Sequence, residues 1–229
     1  MTYTFQTFSV GEVLAASKMN QLEVNVRDHQ HGISAGVSTV GADTVDKTQL
    51  VDDYANSWVF IQKQTASASA TIDFTLPSGY ERFILHICNA APATDGVYPM
   101  LRLSDDNGAT YEADASDYGW QANSGYTSSI EASGADTKIT LFGAATNTIG
   151  NATGERVSGQ LTIDGAFDST PTMIGFKGGG LGTDGIIRLT NSVGMLIAAV
   201  ATQAIRFMFS SGNIASGTFV LYGLRTDQT

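Results

Sequence analysis

Strict alternation of apolar and polar residues is the feature of this sequence that most constrains its fold. Apolar residues occupy every even position from Ala70 to Leu76, and the sequence Gln160-Leu161-Thr162-Ile163-Asp164 repeats the pattern. Successive side chains of a strand point to opposite faces, so this period predicts strands with one buried face. Similar runs, separated by Gly, Asn and Ser, continue to residue 224. We therefore expect a mainly β chain in which residues 57–229 form an antiparallel β-sandwich of the jelly-roll kind.

Two stretches within this region give more specific expectations. The sequence Asp105-Asp106-Asn107-Gly108 lies between strand-like runs at 98–104 and 109–113, and an Asn-Gly pair in that setting predicts a hairpin. The run 82–90 is mostly apolar, which predicts a strand covered on both faces. We expect His86 to be a core histidine and Cys88 to be a small buried side chain.

Charge excludes several classes of partner. The 229 residues carry 12 basic and 22 acidic side chains, which gives a net charge of -10. Nucleic-acid affinity depends on basic residues that meet phosphates, and no Lys/Arg cluster occurs, so we expect no nucleic-acid partner. No apolar run reaches the ~18 residues of a membrane span, so we expect no membrane insertion. The single cysteine excludes an intrachain disulfide framework, and the N-terminus lacks a signal-peptide pattern, which predicts synthesis in a cytoplasm.

The first forty residues have a different pattern. Ala15, Met19, Leu22 and Val26 are spaced by four, three and four residues, which is the seam of a self-associating helix. The alternative is an ordinary amphipathic helix that packs on its own domain. We interpret residues 1–40 as an anchoring segment with a short α-helix, residues 41–56 as a neck or linker, and residues 57–229 as the β domain.

Aromatic and amide side chains cluster in one stretch of the β domain. They are typical of a carbohydrate or protein contact surface, because Tyr and Trp combine a flat apolar face with a polar group. The alternative for Trp120 is that it closes one end of the core. The predicted receptor-binding residues are Asp117, Tyr118, Trp120, Gln121 and Tyr126.

Metal and catalytic chemistry have weaker signals. His29 and His31 could surround an axial metal ion if three copies meet on one axis, in the octahedral geometry that suits iron or nickel. The alternative is that His29 is a favourable cation at a helix C-terminus. Paired carboxylates could support glycoside hydrolysis, but a hairpin predicts roles as turn formers and solvated edges for the acidic residues that lie close together here, Asp105, Asp106, Glu112, Asp114 and Asp117. We expect no catalytic residues, no enzyme activity and no other cofactor.

Two stretches resemble a known class of proteins. Residues 8–22 (FSVGEVLAASKMNQL), followed by Asn25 and by residues 28–32 (DHQHG), are similar to the N-terminal segment of fibre and spike proteins of tailed bacteriophages and phage-like particles. Residues 204–224 (AIRFMFSSGNIASGTFVLYGL) resemble the C-terminal strand pair of many such proteins. The resemblance implies a virion component that is trimeric or otherwise oligomeric, whose N-terminal part attaches to the particle and whose β-rich part projects outward.

The leading expectation is therefore a non-enzymatic structural virion protein, an oligomeric fibre or spike of a tailed phage. Its partners would be its own copies in a homotrimer, other virion proteins bound by the N-terminal segment, and a glycan or protein on the host surface. It would be made in the cytoplasm of a bacterial host and then reside in the virion. The alternatives are a capsid decoration protein, which clamps coat subunits through its β domain, and a glycan-degrading enzyme.

Overall fold

The computed structural model describes residues 58–124, 129–143 and 147–225. Within these ranges the chain forms twelve strands and no helix. The predicted helix, its seam at Ala15, Met19, Leu22 and Val26, and the predicted neck at 41–56 all lie outside the described residues. The strands are β1 Trp58–Ser69, β2 Ile72–Thr75, β3 Tyr80–Pro92, β4 Pro99–Ser104, β5 Tyr118–Ser124, β6 Ser129–Asp136, β7 Ile139–Thr140, β8 Val157–Asp164, β9 Met173–Leu181, β10 Ile187–Leu196, β11 Ala204–Phe209 and β12 Ile214–Arg225.

The strands form two antiparallel sheets. The larger sheet has eight strands in the order β1-β12-β3-β8-β9-β10-β5-β6, and the smaller has four in the order β2-β11-β4-β7. Every ladder between these strands is antiparallel. The expectation of a mainly β, antiparallel chain is confirmed for the described residues.

One hydrophobic core joins the two sheets. Phe207 of β11 packs against Phe219 of β12, with ring centroids 5.1 Å apart. The alternation seen in the sequence determines which residues enter this core. Phe74 of β2 and Leu161 of β8 are buried, whereas their neighbours along the same strands, Thr75 and Gln160, are exposed. Complete burial of one such side chain contributes about 1.5–3 kcal/mol.

The predicted hairpin at residues 105–108 is wrong in its second arm. Asn107 and Gly108 form a turn with positive φ angles of 59° and 86°, but residues 109–113 are not a strand. β4 pairs with β11 along one edge, and on its other edge β7 covers only Met100 and Leu101. Beyond β7, the Leu103 carbonyl accepts the Glu112 N–H at 2.9 Å, but the Leu103 N–H donates to the Tyr118 hydroxyl, so residues 109–113 do not continue as a ladder strand. The loop instead folds on itself, because Ser104 Oγ accepts the Gly108 N–H at 2.9 Å and the Asp106 carboxylate accepts the Thr110 N–H at 2.9 Å.

Strand β3 is apolar on both faces but only one face is buried. Phe83, Leu85 and Ile87 enter the core, whereas His86 is half-buried on the outer face of the sheet and Cys88 is exposed. The expectations of a core His86 and a buried Cys88 are therefore wrong. The smaller sheet covers the inner face alone, and the period of two places residues 84, 86 and 88 on the other side.

The first and last strands are neighbours, with Trp58 of β1 paired to Leu224 of β12. The chain therefore enters and leaves the described domain at the same end of the larger sheet. We call this the proximal end. The opposite end, the distal end, carries among other connections the loops at 93–98, 150–156 and 182–186, which we call the distal loops, and the turn at 210–213.

Candidate functional site

The predicted receptor-binding residues lie mainly on strand β5 rather than in a loop. Tyr118 and Trp120 point into the core and are 0% and 8% exposed. The expectation of an exposed aromatic surface is therefore wrong for these two residues, because β5 lies between β10 and β6 and its alternate side chains face inward. Gln121 is exposed on the outer face, Asp117 is half-buried beside the strand, and Tyr126 lies outside the described residues.

The Tyr118 hydroxyl forms hydrogen bonds with the surrounding backbone. It accepts the N–H of Leu103 at 2.8 Å and donates to the carbonyl oxygen of Glu112 at 3.1 Å. Burial raises the pKa of Tyr118, so the phenol stays protonated and keeps its donor. Tyr118 thereby joins β5 to β4 and to the loop that follows β4.

Trp120 is held in a small polar network. Its indole N–H donates to Asp136 Oδ2 at 2.8 Å, and Lys138 Nζ lies 2.8 Å from Asp136 Oδ1. Burial by itself would raise the pKa of Asp136, but hydrogen bonds from Lys138, Trp120 and the Thr137 N–H outweigh it and lower the pKa. These contacts favour the second interpretation of Trp120, as a residue that closes the core.

The acidic residues between β4 and β5 have turn-forming contacts. Asp106 accepts the hydroxyl of Thr110 at 2.6 Å and the hydroxyl of Ser104 at 2.7 Å, and these bonds lower its pKa to about 2. Burial, and then the neighbouring carboxylates of Asp105 and Asp117, raise the pKa of Glu112. The loop is therefore a concentration of negative charge that is fixed by its own hydrogen bonds.

The distal loops form a polar surface held by cross-links between loops. Asn151 donates its side-chain N–H to the Ala93 carbonyl at 3.0 Å and its backbone N–H to Asp95 Oδ1 at 3.3 Å. The Ala93 N–H in turn donates to the carbonyl of Asn213 at 2.8 Å. In the third loop, the Ile186 N–H and the Arg188 guanidinium lower the pKa of Asp184. The exposed carboxylate of Asp95 and the exposed hydroxyl of Thr183 thus belong to loops whose backbone is held by hydrogen bonds.

A shallow cleft of about 560 Å³ lies at the proximal end. Tyr80, Phe167, Glu81 and Asp168 line it. Aromatic faces beside carboxylates are typical of sugar contacts. The cleft nevertheless lies beside the last pair of the β3–β12 ladder, Tyr80 with Arg225, which is where the chain leaves the domain.

The outer face of the larger sheet is unusual because strand β10 reverses the expected alternation. Its core-facing positions are the polar Arg188, Thr190 and Ser192, whereas Ile187 and Leu189 face outward and are 75% and 72% exposed. We call the outward residues Met173, Ile187, Leu189, Val193 and Met195 the β10 patch.

A second apolar group lies on the same outer face, at the other edge of the sheet. Trp58 and Phe60 of β1 are 42% and 57% exposed. Tyr222 of β12 contacts both the Phe60 ring, at 6.0 Å, and the His86 ring, at 5.7 Å. We call Trp58, Phe60, Ile84, His86 and Tyr222 the aromatic patch. Sequence analysis missed both patches, although the alternation of β10 is visible in the sequence.

Among the described residues, no three His, Cys, Asp or Glu side chains are grouped so that they could hold a metal ion. The predicted pair His29 and His31 lies outside these residues. Within the same ranges, no helix has the length and apolar character needed to cross a membrane.

Comparison of the chain with known protein families, with curated proteins and with solved structures gives no match.

Proposed function

We propose that this chain is a non-enzymatic structural protein of a tailed-phage virion, an oligomeric and specifically trimeric fibre or spike. In this proposal the two antiparallel sheets are a jelly-roll-like β-sandwich that projects from the particle. The first forty residues bind other virion proteins. The resemblance of residues 8–32 and 204–224 to phage fibre and spike proteins supports the assignment.

The positions at which the chain enters and leaves the β domain support the proposal most directly. Because Trp58 and Leu224 are paired, the chain enters and leaves the domain at the proximal end. Neither the entering nor the leaving segment therefore starts at the distal end. A domain that is tethered at one end and presents rigid loops at the other is suited to project from a surface. Antiparallel sheets with a shared core supply the stiffness that such a module needs.

The distal loops are the surface that we propose for contact with the host. Their backbone is fixed by the bonds of Asn151 to Ala93 and Asp95, so little conformational entropy is lost on binding. Their exposed carboxylate and hydroxyl groups are suited to hydrogen-bond sugar hydroxyls or a polar protein surface. The distal loops replace Tyr118 and Trp120 as the centre of the proposed contact, because both of these side chains are buried.

A matched pair of threonines tests the host contact. Thr183 in a distal loop and Thr170 near the proximal end are both exposed. We expect Thr183→Lys to slow adsorption of particles to host cells by about tenfold, which corresponds to about 1.4 kcal/mol of binding. Thr170→Lys should adsorb normally. Normal adsorption of Thr183→Lys particles, or equal loss in both variants, would contradict contact through the distal loops.

A capsid decoration protein remains the second candidate, and the exposed β10 patch favours it, because such a protein would bind coat subunits through its β domain. Labels at the two ends separate the candidates. An epitope inserted after Gly185 should stand further from the particle surface than one inserted after Asp168 in electron micrographs of a fibre or spike. Labels at equal height, both against the shell, would favour decoration and would count against the fibre.

A further inference from the structure

We propose that the outer face of the eight-stranded sheet joins copies of this chain, with the aromatic patch of one copy packed on the β10 patch of the next in a closed ring. This rests on the oligomeric part of the proposed function. It adds that the β domain, and not only the N-terminal seam, carries the subunit contact.

The reversed alternation of β10 is the first argument. A shift of one residue in the ladder would bury Ile187, Leu189 and Val193 and expose Arg188, Thr190 and Ser192. The fold instead keeps the polar set inside, where Thr190 Oγ1 donates to the Leu141 carbonyl at 2.7 Å and Arg188 pairs with Asp184 at 2.6 Å. Ser192 Oγ has no hydrogen-bond partner there. Although Asn191 also faces outward between Leu189 and Val193, an exposed apolar group of this size is typical of a surface that is covered in an interface.

The two patches occupy different parts of one face. One row of the ladder runs from Phe60 through Tyr222 and Ile84 to Thr162, and then through Gly175 to Val193. Between the patches, β8 presents polar groups, among them the exposed Gln160 and the Arg82–Asp164 ion pair. Neighbouring strands are rotated by about 20–25°, so the two patches face different directions. They are therefore suited to two different neighbours, and a contact between unlike patches closes into a ring when its rotation permits.

The two patches differ in the size of their side chains. Trp58 and Phe60 are large, partly exposed rings of the aromatic patch. In the β10 patch, Val193 and Leu189 lie opposite Gly175 and Gly179, so their partners on β9 add no side chain to the surface. Large aromatic side chains are the usual centres of protein interfaces.

The position of Trp58 identifies a second copy as the occupant. Trp58 directly follows residues 1–57, which contain the seam predicted to gather several copies. If that seam gathers the chains, their aromatic patches meet at high effective concentration. The aromatic patch lies on three neighbouring strands and the β10 patch on two, so each is roughly 10–15 Å wide, and the contact is weak by itself and depends on this tether.

Disulfide trapping on the full-length chain tests the arrangement. In a Cys88→Ser background, Phe60→Cys combined with Val193→Cys should give covalent species that end at one closed ring size on a non-reducing gel. The two positions are five strand steps apart in one chain, about 24 Å, which no disulfide can bridge internally. Each single variant should stay uncrosslinked. Disulfide-linked single variants would show that each patch contacts the same patch of another copy. A double variant that is oligomeric but not crosslinked would place the interface elsewhere. Either result would overturn the proposal.

A charge substitution gives an independent readout. Leu189→Glu should shift the Trp58 contribution to the fluorescence emission to longer wavelength, because Trp58 becomes exposed. Gln160→Glu adds the same charge between the patches and should leave the emission unchanged. Circular dichroism checks that both variants are folded. An unchanged emission in Leu189→Glu would overturn the proposal. Both experiments measure self-association alone, so loss of particle or host binding would refute the proposed function without refuting the ring.

Discussion

Trp120 of β5 donates its indole N–H to the carboxylate of Asp136, at the end of β6, at 2.8 Å. The same carboxylate binds Lys138, so a buried aromatic residue and a surface cation meet at one acid. This relationship makes Trp120 part of the framework of the larger sheet. It also gives the first two predictions a defined structural origin.

Removal of the Trp120 ring should destabilise the domain. We expect Trp120→Ala to lower the free energy of unfolding by about 3–5 kcal/mol, because a large buried side chain leaves a cavity. Urea denaturation measures the change. Gln121→Ala, at the exposed neighbouring position, should have little effect. A fully stable Trp120→Ala variant would show that the ring is not a core element.

The Asp136 carboxylate should make stability depend on acid pH. Its pKa in the folded state is lowered from an ordinary value of 3.8, so its contribution is present above that value and is lost as pH falls through the folded-state pKa. Unfolding curves measured from pH 5 downward should therefore fall more steeply for the natural chain than for Asp136→Asn. Equal slopes would exclude Asp136 as a source of acid sensitivity.

The hydroxyl of Tyr118 should contribute to stability through its two backbone partners. Tyr118→Phe keeps the ring but leaves the Leu103 N–H and the Glu112 carbonyl without this partner. We expect a loss of about 1–3 kcal/mol in the free energy of unfolding, which is the cost of an unsatisfied buried polar group. Thermal unfolding by circular dichroism checks it, and Tyr98→Phe, at a half-buried tyrosine, is the control.

Asp106 should titrate far below other surface carboxylates. Its pKa is about 2, and the side-chain hydrogen bond from Thr110 is the largest cause. Thr110→Ala should raise this pKa toward 3.8, which NMR titration of the side-chain carboxyl carbon can follow. A value that is unchanged by Thr110→Ala would mean that other donors hold the turn.

The β domain should fold without its N-terminal segment. Residues 57–229 are long enough for an independent core, so we expect a strand-type circular dichroism spectrum and a cooperative melt. Non-cooperative unfolding of this fragment would mean that its core needs residues outside it.

The sequence predicted the strands better than it predicted their orientation. Alternation placed Phe74 and Leu161 in the core correctly, because in β2 and β8 the apolar set faces the second sheet. In β10 the same period of two is present, but the apolar set faces outward. Periodicity defines two faces of a strand and does not say which one meets the core, since that depends on neighbours that are distant in sequence.

The errors at Asn107 and Trp120 have related causes. The Asn-Gly turn formed, but no strand follows it, because the Leu103 N–H on the edge of β4 that is not paired with β11 donates to the Tyr118 hydroxyl instead of to a hairpin partner. For Trp120 the composition of the stretch was compatible with a surface or a core. The decisive contact was with Asp136, sixteen residues away, and no local pattern indicates it.

Because β12 lies between β1 and β3, the ladder pairing of β1 must wait until β12 has been synthesised. Of the described strands, β12 leaves the ribosome last, and it joins β1 to β3 and so to the rest of the larger sheet. Until it arrives, β1 has no ladder partner and one edge of β3 is open, and open edges are sites of aggregation. Long-range pairing of this kind is also slow. A nascent chain that stops before residue 214 would therefore lack β12, and it would also leave β1 unpaired and one edge of β3 open.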